Sequence, residues 1–341
     1  MKKTLQGLAL TIVTLALCAI VGELAVRVVY SRIADYNLEM WRYTSSVKVG
    51  NPNPRLPFFH AANRKGFYYG AEIQTNSFGF RDRDYPVQRV PGTKRIIMLG
   101  DSFALGWGVP FDSTFSKRLE GLFRDGGEPT EVINLGVGNY NTVMELELFR
   151  EKGLQFSPDV VVLMYYVNDA EPTPAVVGPI KAALFSHSYL VAFIADRLIK
   201  LEPLIDPSRD WKAYYGSLYQ PGKPGLQASR QALIDLATLC RERNIKLLVA
   251  NIPELRELKR YPFPQATEFV RSVSAEQGVP FIDLAPSMVN EEPASLWVSA
   301  GDPHASVKAN GIIARELYRA ASQAAVQGPA GGHTAVNGKT H

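Results

Sequence analysis

Two distant segments carry the residue types that nucleophilic attack on an ester requires. The apolar run 96–99, which is typical of a buried strand, is followed at once by Asp101 and Ser102. Near the other end of the chain, Asp302 lies two residues before His304. A serine hydroxyl attacks a carbonyl well only when a base removes its proton; histidine is the usual base, and a carboxylate orients it. These residue types predict Ser102 as nucleophile, His304 as base and Asp302 as the orienting acid.

The positions of the other histidines favour His304 as the base. The chain has five histidines, and His333 and His341 lie in the polar tail that begins after residue 327. His60 lies before the first long strand, beside an apolar connector, and His187 lies between two serines in a long insertion. Only His304 follows the last predicted strand with an acid nearby, so it is the predicted partner of a nucleophilic serine.

Two further segments offer donors for the oxyanion that forms when an ester is attacked. Gly136 lies in "NLGVGNYN" and Asn168 in "YYVNDA", each after an apolar run. An oxyanion is stabilised by preorganised N–H groups, and glycine allows the backbone to approach closely. The predicted oxyanion hole therefore consists of the Ser102 N–H, the Gly136 N–H and the Asn168 side chain. Asp101 and Asp169 are predicted to support these loops rather than to react.

The elements that must position these residues alternate between strands and helices from about residue 94. Apolar strands separated by helices predict a parallel sheet that is covered on both faces, and ligands bind beyond the carboxyl ends of such strands. All the candidate residues follow strands, so they are expected at one rim. The predicted strands are 95–99, 131–135, 159–167, 246–252 and 280–285; the predicted helices start near Asp112 and Thr142, the latter with a Thr142–Glu145 capping box, and cover about 188–200, 227–243, 264–277 and 306–324.

The N-terminus resembles a membrane anchor. Lys2 and Lys3 precede an uncharged run of 19 residues, 4–22, which is long enough to cross a bilayer. Positive charge at the start places the N-terminus in the cytoplasm and the rest of the chain outside it. A single-pass anchor, with the rest of the chain outside the cytoplasm, is therefore predicted. A cleaved signal peptide and a lipoprotein anchored at Cys18 are the alternatives.

The remaining chain divides into four predicted parts. The anchor occupies residues 1–30, and a juxtamembrane connector with an N-terminal extension occupies 31–93. The α/β domain covers 94–326 and contains an insertion at about 171–225, which is longer than one crossover needs. The tail 327–341 is polar and rich in glycine, so it is predicted to be disordered.

Composition argues against several other classes of protein. The net charge of the 341-residue chain is only +4, and no Lys/Arg block stands between aromatic residues, so nucleic acid is not a predicted partner. The two cysteines, Cys18 and Cys240, do not form a CxxC pair, and no His or carboxylate cluster has metal-ligand spacing, so neither a metal nor a cofactor is predicted. The segment "GVGNYN" lacks the third glycine of a dinucleotide loop.

The order of these motifs resembles that of the SGNH, or GDSL-type, hydrolase family over about residues 94–325. Ser102 lies in a GDS block, and Gly136 matches the glycine block. Asn168 matches the Gly-x-Asn-Asp block, while Asp302 and His304 match the C-terminal Asp–His block. The resemblance implies a flavodoxin-like, three-layer α/β/α fold with a five-stranded parallel sheet. It also implies that an acyl-enzyme forms on the serine of the GDS block.

The sequence departs from the family pattern at two positions. Tyr166 replaces the glycine of Gly-x-Asn-Asp, which alters the predicted oxyanion pocket. The last block is Asp-x-His, with Asp302 one residue closer than in the commoner Asp-x-x-His, a spacing similar to that of polysaccharide acetyltransferase relatives. Trp107 and Tyr166 are predicted to be core or pocket-wall residues.

The resemblance is to membrane-anchored bacterial members of the family. Together with the anchor it implies a single-pass protein of a bacterial inner membrane, with a periplasmic domain and a function at the cell envelope. We expect an esterase if water accepts the acyl group, or an O-acyltransferase if a sugar hydroxyl does. The expected substrate is an acyl ester, with acetyl as the acyl group, of a cell-envelope or exported polysaccharide. Tyr214, Tyr215 and Tyr219 are expected either to line a sugar groove or to pack the insertion. A membrane-tethered binding or assembly component that keeps the fold without turnover is the alternative.

Overall fold

The computed structural model describes residues 2–30, 35–175, 187–207 and 210–326, so the predicted disordered tail lies outside the described residues. The helices are α1 (Lys2–Tyr30), α2 (Tyr36–Val47), α3 (Ser102–Leu105), α4 (Phe115–Asp125), α5 (Thr142–Leu148), α6 (Tyr189–Ile205), α7 (Trp211–Leu218), α8 (Pro224–Glu242), α9 (Pro264–Glu276) and α10 (Val307–Val326). The strands are β1 (Lys48–Gly50), β2 (Phe58–His60), β3 (Lys65–Tyr68), β4 (Ala71–Gln74), β5 (Lys94–Gly100), β6 (Thr130–Asn134), β7 (Val160–Tyr165), β8 (Lys246–Asn251), β9 (Phe281–Asp283), β10 (Trp297–Ser299) and β11 (Asp302–Ala305).

The central sheet has five parallel strands in the order β6-β5-β7-β8-β9. Its strands are buried along most of their length because helices pack on them: α4 contacts β6, α5 contacts β5, and α8 and α9 contact β8. The chain reverses its direction of travel across the sheet at β5, and the carboxyl end beside such a reversal is where α/β proteins bind ligands. The predicted flavodoxin-like, three-layer fold with five parallel strands is confirmed.

Some predicted boundaries were wrong for local reasons. The last strand ends at Asp283 rather than at residue 285, because the Asp283 carboxylate accepts the Ala285 N–H and turns the chain. The helix predicted near Asp112 begins at Phe115, after a short 3-10 turn, and its N-cap is Thr114. Side-chain acceptors at the boundary of each element set these ends.

The predicted Thr142–Glu145 capping box is also wrong. Helix α5 does begin at Thr142, but its N-cap is Asn141, whose side chain accepts the Met144 N–H at 3.1 Å. Glu145 is buried instead of reaching back to the cap, and within the described part of the chain neither of its carboxylate oxygens has a hydrogen-bond partner.

The segment predicted as a connector packs closely on the α/β domain. It forms α2 and the antiparallel hairpins β1–β2 and β3–β4. Buried Arg81 donates to the carbonyl oxygens of Leu105, Gly106 and Val109, at 2.5–2.9 Å, so it fixes the loop that follows α3. Buried His60 bonds the Gly79 carbonyl at 3.1 Å. Residues 35–93 therefore support the rim that carries the candidate residues.

Helix α1 differs from every other element in its surroundings. Among the described helices, it alone is long and apolar enough to cross a membrane, over Lys3–Tyr30, and only 6% of its most apolar window is buried. Length and composition of this kind suit either a membrane span or a signal sequence.

Candidate active site

The predicted nucleophile, base and acid form one hydrogen-bonded chain at the carboxyl rim. Ser102 is the first residue of α3, directly after β5, and its Oγ donates to His304 Nε2 at 2.8 Å. His304 Nδ1 donates to Asp302 Oδ1 at 2.5 Å. All three side chains are buried. The geometry lets His304 take the serine proton while Asp302 fixes the imidazole tautomer.

The short Asp-x-His spacing keeps the acid pointing at the histidine. Asp302 and His304 both lie on β11, and Asp302 Oδ1 also accepts the His304 backbone N–H at 3.0 Å. One carboxylate oxygen therefore bonds both the backbone and the ring of the same residue. This contact folds the acid back onto the imidazole.

The second oxygen of Asp302 is held by Trp107, a role that the sequence analysis missed. Trp107 Nε1 donates to Asp302 Oδ2 at 2.9 Å, and the indole is almost completely buried. Gly106 precedes it with a φ of +78°, a left-handed conformation that ends α3 and that glycine adopts without strain. In the sequence, the only indication of this role is that Trp107 follows Ser102 by five residues, because a residue on the loop after α3 must lie near the nucleophile.

Two aromatic rings enclose the imidazole of His304. The Phe103 ring centroid lies 4.8 Å from it and the Tyr36 centroid 5.5 Å. Tyr36 also contacts Trp107 edge-on at 6.1 Å. Tyr36 comes from α2, in a segment that was predicted as a connector, and no feature of the local sequence marks it. Its contact with His304 follows only from the packing of α2 on the rim.

The predicted oxyanion donors are in three different states. Among the described residues no acceptor bonds the Ser102 N–H, which lies at the start of α3. Asn168 Nδ2 donates to Asp101 Oδ2 at 3.0 Å, which leaves its second hydrogen for another acceptor. The Gly136 N–H donates to Asn134 Oδ1 at 2.9 Å, so it would have to share that bond with a substrate oxygen. The oxyanion hole stays a prediction.

Gly136 is needed for packing beside the nucleophile turn. A Cβ atom at this position would lie 2.5 Å from the Ala104 carbonyl carbon, 2.8 Å from Ala104 Cβ and closer still to the Leu105 nitrogen. Backbone atoms of α3 cannot yield as a flexible side chain does. The absence of a side chain therefore lets the loop after β6 rest on the helix that carries Ser102.

Tyr166, which replaces the family glycine, lies against Phe103. The two ring centroids are 4.5 Å apart, and burial raises the pKa of the Tyr166 hydroxyl well above its ordinary value. The Tyr166 backbone N–H donates to Asp169 Oδ2 at 2.6 Å. The substitution thus adds an aromatic wall beside the nucleophile and leaves the backbone of the block bonded to its aspartate.

Three buried carboxyls lie behind the nucleophile turn. Asp101 accepts the Phe103 N–H at 2.8 Å, which caps α3, and Asp169 accepts from Thr142 Oγ1 at 3.1 Å. Burial raises the pKa of Asp101 and raises those of Asp169 and Glu145 well above the usual range, and the charges of the neighbouring acids add to the last two shifts. These bonds place Asp101 and Asp169 where loop support was predicted.

The three tyrosines of the insertion are in different environments. Tyr219 is buried and donates to the Val167 carbonyl at 3.0 Å, so it packs the core. Tyr214 is 42% exposed, contacts Tyr215 with a centroid distance of 5.3 Å, and donates to Glu171 at 3.1 Å. Within the described ranges, no group of three or more His, Cys, Asp or Glu side chains is arranged to hold a metal ion.

A family comparison decides the relationship of the chain. The model of the GDSL-like lipase/acylhydrolase family matches residues 98–311, which include every member of the hydrogen-bonded chain. The chain belongs to this family. Its members are esterases and lipases, so the family assignment supports hydrolase activity. The GDSL block, Gly-Asp-Ser, is the one that carries Ser102.

Three solved structures that are similar to this GDSL protein share little sequence identity with it. The esterase EstA from Pseudoalteromonas sp. is 13% identical, with a TM-score of 0.46, over 68% of this chain and 99% of that one. A catalytic mutant of Axe2, an acetylxylan esterase from Geobacillus stearothermophilus, is 14% identical, with a TM-score of 0.45, over 68% and 95%. A lipase/acylhydrolase from Enterococcus faecalis is 15% identical, with a TM-score of 0.43, over 68% and 96%.

The comparison with curated proteins returned no match.

Proposed function

We propose that this chain is a membrane-anchored serine esterase or O-acyltransferase that acts on acetyl esters of a cell-envelope or exported polysaccharide. The observation that carries the proposal is the hydrogen-bonded chain from Ser102 through His304 to Asp302. An isolated serine hydroxyl does not attack esters at a useful rate, and this arrangement is the one that activates it. Helix α1 serves as the anchor, and the domain lies on the periplasmic side of the inner membrane.

The reaction has two halves that use the same side chains. Ser102 Oγ attacks the ester carbonyl carbon while His304 Nε2 takes the hydroxyl proton, and the carbonyl oxygen becomes an oxyanion. His304 then gives that proton to the departing alcohol as the ester C–O bond breaks, and the acyl group stays bonded to Ser102 Oγ. In the second half, water or a sugar hydroxyl attacks the acyl group, His304 takes its proton, and Ser102 Oγ leaves with that proton.

The oxyanion is stabilised by donors already near the nucleophile. The Ser102 N–H is free within the described chain, and the second Asn168 Nδ2 hydrogen is available. The Gly136 N–H becomes a third donor if it turns partly from Asn134. Each such donor lowers the barrier by about 3 kcal/mol in measured cases.

The walls of the site favour a short acyl group and a carbohydrate. Tyr166 and Phe103, with centroids 4.5 Å apart, fill space beside Ser102 that a glycine would leave open, which suits acetyl better than a long chain. On the insertion, Tyr214 is 42% exposed beside Tyr215, and its ring offers an aromatic face on which a sugar ring could stack. Water exclusion in the bound complex would decide between hydrolysis and transfer.

The test uses the full chain in detergent micelles with a chromogenic acetyl ester. We expect turnover in the parent and a loss of at least about a thousandfold in Ser102→Ala and His304→Ala. Ser274→Ala removes another buried serine hydroxyl, whose Oγ bonds the Val270 carbonyl in α9, and should keep full activity. Adding acetylated and free oligosaccharides then measures whether the acetyl group passes to water or to a sugar.

The same experiment separates turnover from binding alone. If the folded parent hydrolyses no acetyl ester and a serine-reactive phosphonate does not label Ser102, the proposed activity is wrong and the chain is a tethered binding component. If activity survives in Ser102→Ala, another group is the nucleophile.

A further inference from the structure

Helix α6 presents a stripe of apolar side chains to its surroundings. Ile194, Leu198, Leu201 and Ile205 are 49%, 60%, 49% and 85% exposed. Their spacing of four, three and four residues places them on one face of the helix. Leu204, next to this stripe, is 80% exposed. Single exposed apolar residues are common on protein surfaces, but a continuous stripe marks a surface that contacts something apolar.

The opposite face of α6 is the one that packs on the protein. Asp196 is buried and accepts from Asn37 Nδ2 of α2 at 2.6 Å. The Tyr189 ring meets Trp41 of α2 edge-on, with centroids 5.0 Å apart. The helix is therefore fixed through its polar and aromatic face, and its apolar stripe points away from the domain.

Helix α6 is joined directly to α1. The Glu23 carboxylate of α1 accepts from Ser188 Oγ at 2.9 Å and from the Tyr189 and Leu190 N–H groups at 3.1 and 2.8 Å. These two N–H groups lie in the first turn of α6, where the helix itself supplies no acceptor. The rings of Tyr30 and Phe193 also pack, with centroids 5.8 Å apart. The last turns of α1 and the first turns of α6 therefore lie side by side.

We propose that α6 is an interfacial membrane helix whose apolar stripe lies in the acyl region of the same bilayer that α1 crosses. The occupant is lipid because α6 packs beside a helix that has the length and composition of a membrane span and is itself exposed, as at Leu24 and Val28 with 59% and 58%. This rests on the proposed anchoring by α1 and is independent of the proposed chemistry.

The residues at the junction of the two helices suit the boundary between lipid and water. Tyr30, Tyr189 and Trp41 lie there, and tyrosine and tryptophan concentrate at membrane interfaces. Arg27 stacks on the Tyr189 ring at 4.5 Å, and Arg197 donates to the Tyr30 hydroxyl at 2.7 Å. Arginines in this layer pair with lipid phosphates while their stems remain in the apolar region.

The arrangement fixes the position of the candidate active site relative to the bilayer. Helix α2 packs on α6 and carries Tyr36, which lies against His304. A continuous set of contacts therefore runs from the membrane span through α6 and α2 to the base. Seating α6 in lipid holds the Ser102 rim near the membrane surface instead of leaving it on a flexible tether.

The test measures the depth of labelled positions in phospholipid vesicles that contain the full chain. Single cysteines at Ile205→Cys or Leu204→Cys, in a Cys18→Ala background, carry an environment-sensitive fluorophore; buried Cys240 does not react in the folded protein. Asp125→Cys is the matched control, because Asp125 is exposed at the end of α4, on the edge of the sheet away from the rim. Quenchers are doxyl-labelled lipids and aqueous iodide.

We expect lipid-borne quenchers to act several-fold more strongly at positions 204 and 205 than at 125, and iodide to show the reverse order. Quenching at 204 and 205 by iodide alone would overturn the proposal, as would protection from both quenchers, which indicates a protein partner or a second copy. The parent labelled at Cys18, within α1, tests the anchor separately. Lipid quenching at Cys18 but not at 205 defeats this inference while the anchor stands.

Discussion

Replacing Trp107 by phenylalanine tests whether the indole N–H positions the Asp302 carboxylate. The substitution keeps an aromatic ring but removes the donor that bonds Asp302 Oδ2 at 2.9 Å. Asp302 is fully buried, so no water can replace the lost donor readily. A hydrogen bond to a charged group contributes about 1.5–3 kcal/mol. At about 1.4 kcal/mol for each factor of ten, turnover should fall by about 10- to 150-fold.

The loss should appear in kcat rather than in KM. The Asp302 carboxylate matters most when His304 becomes an imidazolium in the transition state, whereas substrate binding does not need that charge pair. The assay is steady-state hydrolysis of the acetyl ester by the full chain, together with thermal unfolding of each variant.

Trp297→Phe is the matched control because it removes the same kind of donor from a nearby strand. Trp297 Nε1 donates to the Leu255 carbonyl at 3.1 Å, and Trp297 pairs with Ala305, next to His304. We expect Trp297→Phe to lose stability and to keep its kcat. Equal losses of kcat in both variants would attribute the effect to general loosening, and a kcat within twofold of the parent in Trp107→Phe would refute the positioning role.

Three further substitutions probe the supporting structure, each measured by urea unfolding of the full chain in micelles. Burial lowers the pKa of His60 to about 3, so between pH 6.5 and 3 the unfolded chain binds more protons than the folded one, and acidification should remove about 5 kcal/mol of stability. His60→Gln should flatten this dependence of stability on pH. An unchanged acid transition in the variant would contradict the role given to His60. Burial raises the pKa of Glu145, so above pH 4.5 the folded state holds a proton that the unfolded chain has lost. Stability therefore falls as pH rises, by at most about 1.4 kcal/mol per pH unit. Glu145→Gln should make the slope of stability against pH shallower from pH 5 to 8, and an equal slope would show that Glu145 is ionised in the folded protein. Gly136→Ala should destabilise the protein by about 1–3 kcal/mol, because the added Cβ collides with Ala104. Gly121→Ala is the control and should not destabilise it, because the atom nearest to its added Cβ is 3.6 Å away. Equal effects would show that the loop at Gly136 does not need close packing on α3.

The sheet and its rim could be predicted because they depend on local patterns and one general rule. Apolar strands separated by helices specify a parallel sheet, and the carboxyl ends of parallel strands lie together, so Ser102, Asn168 and His304 were expected at one edge before any contact was known. The Asp-x-His spacing did not show how Asp302 is oriented, because that depends on one carboxylate oxygen accepting two N–H groups.

Other features depend on tertiary placement that the sequence does not encode locally. Trp107 and Tyr36 are ordinary aromatic residues in their own segments. Only the packing of α2 and of the loop after α3 brings them to the hydrogen-bonded side chains of Asp302 and His304. The capping error at Thr142 has a similar origin. Glu145 is buried in the packed interior instead of reaching the helix cap, so tertiary packing overrode a local preference.

The most direct test of the central claim is to trap the acyl group on the enzyme. The full chain is mixed with an acetyl ester, quenched in acid during turnover, digested and examined by mass spectrometry, with His304→Ala treated in parallel. The account predicts the added mass of one acetyl group on the peptide that contains Ser102, at the first time points and in the parent only. Turnover without that modification, or acetyl on another residue with Ser102 unmodified, would contradict it.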